Sequence, residues 1–270
     1  MAATGTRAHG AAAGAASPAR PLVAPFARAL ALLGAWTPED GWLGNRELAT
    51  RTGLPASTVT RIAQCLVELN YLHYDADDRK YRLTPSVLAL GYAALANSSV
   101  QRAARNQLQA FAESQRVHAS LFSRDRLELV VLESCNGGAQ DLRIPLHVGT
   151  RVAIGSSPVG WTLLAALPEL ERYYLMENIE RRLPREWPRL RRRIGEAIAQ
   201  VYESGWLTAA ADWDERLGVA AAPVLVAGHA PFVLACVGTS EEISRTRVQR
   251  ELGPRLLAAA DEIAQASAAS

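Results

Sequence analysis

The chain has 270 residues, of which 49% are hydrophobic, and a formal net charge of +2. This length allows two domains, and the composition indicates a packed globular protein rather than a disordered chain. Because the net charge is small, any nucleic-acid contact has to come from a local basic patch. The three cysteines stand far apart without a C-x-x-C pair, which argues against a disulfide framework or a zinc site.

Residues 1–21 are rich in alanine and glycine, and we expect them to form a disordered tail. Arg7, His9 and several glycines interrupt the continuous apolar stretch that a secretory signal needs. No later stretch approaches the roughly 20 uncharged apolar residues of a membrane span. We therefore predict a cytoplasmic protein with no membrane partner.

The first domain is predicted over residues 22–84 and begins with three helices. Pro25 to Trp36 places its apolar residues on one helical face, and a second, short helix ends at Gly53. The third helix is expected from about Ala56 to Asn70, where the spacing of apolar residues predicts a narrow buried stripe. This stripe comprises Val59, Ile62, Leu66 and Leu69.

A β-hairpin is predicted directly after the third helix. Tyr71 to Tyr74 and Tyr81 to Leu83 favour strands, and Asp75 to Arg79 between them has turn composition. Three helices, a tight turn between the second and third, and a hairpin are the order of a winged helix-turn-helix. Residues 85–99 are then predicted to form a linker helix.

The outer face of the third helix carries hydroxylated and cationic side chains and no acid until Glu68 at its far end. Hydroxyls bond phosphates or base edges, and Arg and Gln pair bidentately with guanine or adenine in the major groove. The candidate DNA-reading residues are Ser57, Thr58, Thr60, Arg61 and Gln64. The hairpin tip adds the basic residues Arg79, Lys80 and Arg82, which suit the DNA backbone or the minor groove. Such a helix alone is typical of a solvated surface, so the prediction depends on the whole arrangement.

From residue 100 onward, helices mix with antiparallel-looking hairpins, which predicts an α+β domain over residues 100–270. The motif IGSSPVGW invites comparison with a hydrolase nucleophile elbow, which needs glycines two residues before and after the serine. Around Ser157, Gly155 fits this spacing and Val159 does not. Ser157 before Pro158 is instead typical of a helix N-cap. We predict no catalytic residue, no metal site and no cofactor.

The segment NRELATRTGLPASTVTRIAQCLVELNYLHYDADDRKYRLTPSVLALG resembles the DNA-binding domain of the IclR family of bacterial transcriptional regulators. The markers are Glu-Leu-Ala followed by Thr-Gly-Leu-Pro, the Ser-Thr-Val-x-Arg start of the third helix, and Tyr-Arg-Leu before the linker. The second domain resembles the family's GAF-like effector-binding and oligomerisation domain through VGTRVAIGSSPVGWTLLAALP and GWLTAAADWDERLGVAAAPV. The resemblance covers about residues 25–265.

The resemblance implies an effector pocket lined by the loop that enters a helix at Pro158 and by the sheet behind it. Carried over position by position, its residues are Ile144, Val152, Ser157, Pro158, Val159, Asp212, Val219, Cys236 and Gly238. The family's acidic residue falls near Ala209 or Asp212. Where the family often has His and Lys, this chain has Gly155 and Trp161, which implies a more apolar pocket. We expect a small organic acid, aromatic acids included, held by N–H groups at the helix start.

These observations predict a ligand-responsive regulator, repressor or activator, that binds double-stranded operator DNA as a homodimer or homotetramer. Two alternatives stay open at this point. One is a hydrolase-like enzyme tethered to DNA, and the other is a winged helix used for protein contacts. A steep salt dependence of DNA binding would separate the regulator from the protein-contact module.

Overall fold

The computed structural model describes residues 24–96, 98–138 and 144–268. The predicted tail, residues 1–21, lies outside the described residues. Two compact units are present. The first contains the described residues up to Trp36 together with Trp42–Thr84, and the second contains Thr37–Gly41 and the described residues from Pro85 onward.

The first unit is a winged helix-turn-helix. Its elements are α1 (Ala24–Leu33), β1 (Leu43–Gly44), α2 (Asn45–Thr52), α3 (Ala56–Glu68), β2 (Leu72–Asp75) and β3 (Lys80–Leu83). The strands form an antiparallel sheet in the order β1-β3-β2. The two residues of β1 are too few to show an alternating pattern, which is why the sequence predicted only the hairpin.

The turn between α2 and α3 depends on one glycine and one asparagine. Gly53 has φ +69°, a left-handed conformation that glycine adopts without a steric penalty. The Asn45 side chain donates to the Ala56 carbonyl at 3.2 Å and accepts from the Thr60 hydroxyl at 3.3 Å. These bonds join the start of α2 to the first turn of α3 and set the position of α3.

The buried stripe of α3 differs from the predicted one at its end. Val59, Ala63 and Leu66 are buried, Ile62 is half-buried, and Leu69 is 65% exposed. The helix ends at Glu68, so Leu69 is its C-cap and no longer follows the helical face. Ala63 is fully buried between Val59 and Leu66. These three residues are spaced four and three apart, so they lie on the side of α3 that faces α1 and α2.

The second unit is an α+β domain. Its elements are α4 (Pro85–Ala96), α5 (Ser99–Gln115), β4 (His118–Asp125), β5 (Glu128–Asn136), β6 (Arg151–Ala153), α6 (Pro158–Ala166), α7 (Glu169–Arg182), α8 (Trp187–Ser204), β7 (Leu207–Ala210), β8 (Leu217–Val224), β9 (Phe232–Thr239), α9 (Arg245–Arg247), a π-helical turn (Val248–Leu252) and α10 (Gly253–Ala268). The strands form one antiparallel sheet in the order β6-β5-β4-β9-β8-β7. Helices pack on both faces of this sheet, as in a GAF-like domain.

The two sheet faces bury separate cores. Side chains of α6, α7 and α8 pack on one face, here called the α6 face, together with Val219, Ala235 and Val237. Side chains of α5 and α10 pack on the other face, called the α5 face, together with Ala220 and Cys236. Side chains alternate along a strand. In β8 and β9 the odd-numbered core residues therefore lie on the α6 face and the even-numbered ones lie on the α5 face.

Helix α6 is the central helix of the α6-face core. All its residues from Pro158 to Ala165 are buried. A Cβ atom on Gly160 would lie 2.2 Å from the Ile154 carbonyl oxygen. The close approach of α6 to the preceding loop therefore requires glycine at this position.

Among the described residues, no helix combines the length and the apolar character needed to cross a membrane.

Candidate DNA-binding surface and effector site

The outer face of α3 presents four of the five predicted DNA-reading residues along the helix. Ser57, Arg61 and Gln64 are exposed, and Thr58 is half-buried. These positions are spaced so that they follow one side of the helix, opposite Val59 and Leu66. The surface is suited to hydrogen bonding with phosphates and base edges, because it combines a hydroxyl, a guanidinium and an amide.

Thr60 has a different environment from the other predicted reading residues. It is half-buried, and its hydroxyl lies 3.0 Å from the Ala56 carbonyl as well as 3.3 Å from Asn45 Oδ1. Both acceptors belong to the joint between α2 and α3. Through these two hydrogen bonds, Thr60 helps to hold α3 in place against α2.

The wing brings the three predicted basic residues to the exposed surface around the β2–β3 turn. Arg79 has φ +53°, and Lys80 and Arg82 follow on β3. The Asp75 carboxylate accepts hydrogen bonds from the backbone N–H groups of Asp77 and Asp78 at 2.9 and 3.2 Å. Asp75 therefore caps the turn, in keeping with the turn composition of Asp75 to Arg79 in the sequence.

An aromatic platform supports the base of the wing. The Arg82 guanidinium carbon lies 4.8 Å from the centroid of the half-buried Trp42 ring, and the Trp42 and His73 rings are 5.8 Å apart. A cation–π contact of this kind restricts the direction of the arginine side chain. Trp42 was not predicted from the sequence, because nothing in its local pattern connects it with the hairpin.

The start of α6 is a closed N-cap. The Ser157 hydroxyl donates to the Ala153 carbonyl at 2.6 Å and accepts from the Gly160 N–H at 3.1 Å, and Ser157 is fully buried. Pro158 has no N–H to offer. This helix start therefore presents fewer donors to an anion than the sequence suggested.

The sheet divides the effector residues that the resemblance implied. Ile144, Val152, Val159 and Val219 belong to the α6-face core or pack against it. Cys236 is buried in the α5-face core, and a Cβ on Gly238 would lie 3.2 Å from the Glu242 Cβ. The structure does not bring Cys236 and Gly238 together with the first set.

Burial also determines the chemistry of Cys236. Its thiol is fully buried, and this burial raises the pKa of the Cys236 thiol to about 12. The thiol is therefore protonated at neutral pH and acts as a small core residue.

Gly155 and Trp161, the two departures from the family pattern, contact each other. The Trp161 indole Nε1 donates to the Gly155 carbonyl at 2.9 Å. A Cβ on Gly155 would lie 2.6 Å from the Ile179 Cγ2, so the space of a larger side chain is filled from α7. The Arg193 guanidinium carbon stacks 4.6 Å from the Trp161 ring centroid. An arginine of α8 thus supplies positive charge beside the position where the family often has lysine.

Asp212 lies after β7 with an exposed side chain. Partial desolvation raises the pKa of its carboxyl, although the positive charge of Arg193 acts in the opposite direction. Ala209 lies within β7. Asp212 is therefore an acidic group on which the charge of Arg193 acts.

A buried polar cluster on β4 and β5 was not predicted. His118, Ser120 and Ser134 are joined by hydrogen bonds on the α6 face. His118 has no obvious partner in the local sequence, because the pairing of β4 with β5 brings its main partner, Ser134, next to it.

Among the residues that the structure describes, no group of three His, Cys, Asp or Glu side chains is arranged to hold a metal ion.

Comparison with known proteins supports the interpretation of both units. The model of the IclR helix-turn-helix domain matches residues 26–76. The HTH-type transcriptional regulator TsaQ1/TsaQ2 of Comamonas testosteroni is 29% identical over 237 residues, which are 87% of this chain and 85% of that protein.

Solved structures extend the match to the full architecture. An IclR family transcriptional regulator from Brucella abortus is 33% identical, with a TM-score of 0.80 over 92% of this chain and 94% of that chain. An IclR homologue from Microbacterium hydrocarbonoxydans, complexed with 4-hydroxybenzoate, shares the fold at 21% identity, with a TM-score of 0.67 over 91% of this chain and 100% of that chain.

A winged helix-turn-helix followed by a GAF-like domain defines the class of two-domain transcriptional regulators. Similarity to the Brucella abortus regulator covers both domains at 33% identity. The chain belongs to the IclR family of transcriptional regulators.

Proposed function

We propose that the chain binds operator DNA through α3 and the wing and that a small organic acid bound in the second unit changes its affinity for DNA. The observation that carries the DNA-binding surface is the exposed face of α3. Ser57, Arg61 and Gln64 are exposed there, and its acidic residue, Glu68, stands at the far end of the helix. A DNA phosphate would meet no negative side chain over the first two turns of α3.

The test is the selection of a binding site from random DNA, followed by a salt titration of the selected site. A regulator of this kind shows specific binding that weakens steeply with salt, because phosphate contacts release counterions. Failure to enrich any sequence, or binding without salt dependence, would favour a winged helix that contacts protein.

The effector proposal rests on the side chains that lie on the α6 face of the sheet and on the charged groups near it. Val152, Val159 and Val219 are apolar, and Arg193 provides a positive charge near Asp212. The Microbacterium hydrocarbonoxydans homologue carries 4-hydroxybenzoate, an aromatic acid. Calorimetry with aromatic and aliphatic carboxylic acids tests this class, and binding of amines or sugars alone would exclude it.

Catalysis is not part of the proposal. A serine nucleophile needs a base to take its proton, whereas the Ser157 hydroxyl donates to the Ala153 carbonyl and caps α6. We expect no esterase activity above background with p-nitrophenyl acetate. Turnover that Ser157→Ala abolishes would support the enzyme alternative.

We also propose a homodimer or a dimer of dimers, located in the cytoplasm. In the second unit, α4 buries none of its residues, and Leu88 and Tyr92 are 72% and 69% exposed. In the first unit, Phe26 of α1 is 72% exposed. Exposed apolar side chains grouped on one helix are typical of a protein interface, and a second copy would cover them.

A further inference from the structure

The polar half of the α6 face is formed by β4 and β5. Strand register places His118 opposite Val237 on one side and Asn136 on the other, and places Ser120 between Ala235 and Ser134. Val237 and Ala235 pack in the α6-face core. The sheet therefore carries apolar side chains on β8 and β9 and a polar group beside them on β4 and β5.

In the cluster of His118, Ser120 and Ser134, the first two residues are buried, Ser134 is half-buried, and hydrogen bonds join all three. His118 is 7% exposed and Ser120 is 1% exposed. His118 Nε2 lies 2.9 Å from the Ser134 hydroxyl and 3.2 Å from the Ser120 hydroxyl. Burying polar groups on a sheet face costs free energy, which these bonds offset in part.

The hydrogen bonds determine the tautomer of His118. The Ser134 hydroxyl donates its proton to the Leu146 carbonyl at 2.5 Å. Its oxygen can then only accept from the imidazole, so Nε2 carries the hydrogen. Nδ1 is left with its lone pair and is the acceptor of the ring.

The same ring lines a surface depression. Its other walls include Glu39, Ser134, Asn136, Ile144 and His147. Burial lowers the pKa of His118, and the charge of His147 lowers it further, against a raising effect of the Leu146 carbonyl. The imidazole is therefore neutral at neutral pH, and a neutral acceptor nitrogen suits a hydroxyl donor better than a carboxylate.

We propose that this depression holds a hydroxyl group of the effector, with His118 Nδ1 as the hydrogen-bond acceptor and Ser134 as the residue that positions the ring. The effector class is then a hydroxylated small organic acid, with either a phenolic or an alcoholic hydroxyl. This inference rests on the proposed function, because it assigns residues to the effector of the second unit.

Pairs of acids that differ by one hydroxyl test the proposal by calorimetry on the full chain. The phenolic pair is 4-hydroxybenzoate and benzoate, and the alcoholic pair is 3-hydroxybutyrate and butyrate. We expect the wild type to bind the hydroxylated member of one pair about tenfold more tightly, the usual effect of one buried hydrogen bond. The pair that shows the preference identifies the hydroxyl type. Equal binding within both pairs, or no binding of any of the four acids, would overturn the proposal.

Two amide substitutions distinguish the ring nitrogens. The amide of His118→Gln reaches the position of Nε2 and can still donate to Ser134, but it removes the Nδ1 acceptor. We expect it to abolish the preference for the hydroxylated acid. The amide of His118→Asn reaches the position of Nδ1, and we expect it to keep part of the preference.

The substitution Ser134→Ala tests whether Ser134 positions the His118 ring. It removes the hydrogen bond to Nε2 and leaves both ring nitrogens in place. We expect a reduced preference with little change in the affinity for the acid that lacks the hydroxyl. A purely structural role would lower the thermal midpoint and leave the ratio of the two affinities unchanged. If His118→Gln does not fold, an unchanged ratio in Ser134→Ala still overturns the proposal.

Binding of the selected DNA site by the same preparations separates this inference from the proposed function. A wild type that binds DNA and shows no hydroxyl preference contradicts only the His118 site. A wild type that prefers the hydroxylated acid and binds no DNA contradicts the regulator proposal.

Discussion

Arg61 is the exposed side chain of α3 with the geometry for bidentate contact to guanine. Removing it should weaken binding to the selected site by about 1–3 kcal/mol, with a smaller loss on random DNA. Fluorescence anisotropy of Arg61→Ala on both DNAs measures the difference. Arg191→Ala on α8, which removes the same charge from an exposed position of the second unit, is the control. Equal losses on the two DNAs would make Arg61 a phosphate contact.

The three cysteines differ in their environments, and alkylation reports this difference. Cys65 is exposed, whereas burial raises the pKa of Cys135 and brings that of Cys236 to about 12. At pH 8 a thiol with a pKa near 12 is ionised to roughly one part in ten thousand. Iodoacetamide at pH 8 should therefore label Cys65 in the folded protein and reach the other two only after denaturation. Rapid labelling of Cys236 in the native state, detected by mass spectrometry, would contradict its place in the core.

At the scale of single elements, the cap of α6 is a feature that sequence and structure share. The order Ser157-Pro158 predicted an N-cap, and the structure has the Ser157 hydroxyl bonded at both ends. Ser157→Ala should cost about 1–2 kcal/mol, the range of a lost cap. A lower urea midpoint of the second unit would show it. Ser156→Ala, a half-buried neighbour, should have little effect, and equal effects would contradict the assigned role.

The helices of the first unit were predictable because their signals are local. Apolar spacing and Gly53 determine α3 and its turn, and the hairpin follows from strand-forming residues around Asp75. The end of the stripe was not predictable, since whether Leu69 or Ala63 is buried depends on where α3 stops and on the position of α1. The two-residue β1 exists only through pairing with β3.

The candidate effector site depended more on pairing across the sheet than on local sequence. Alternation along β9 separates Cys236 and Gly238 from Val237, but the face of each becomes known only with the register. His118 and Ser134 are 16 residues apart and meet because β4 and β5 pair. Arg193 approaches Trp161 from α8, a contact that no local pattern contains.

At the scale of the whole molecule, we predict that α4 holds two copies together. Leu88→Glu places a charge on a helix whose apolar side chains are exposed in the single chain. Light scattering after gel filtration should show a lower mass than for the wild type. Leu225→Glu, at a residue that is 61% exposed after β8, is the matched control and should leave the mass unchanged. A wild type that is already monomeric would contradict the prediction.

The central claim is that DNA binding by the first unit responds to a ligand of the second. The most direct measurement is an anisotropy titration of the selected DNA site and a scrambled site, with and without a saturating acid identified by calorimetry. We predict binding to the selected site at least about a thousandfold tighter than to the scrambled one, and a shift of about fivefold or more with the acid. Equal affinity for the two DNAs, or an affinity for the selected site that the bound acid leaves unchanged, would contradict the account.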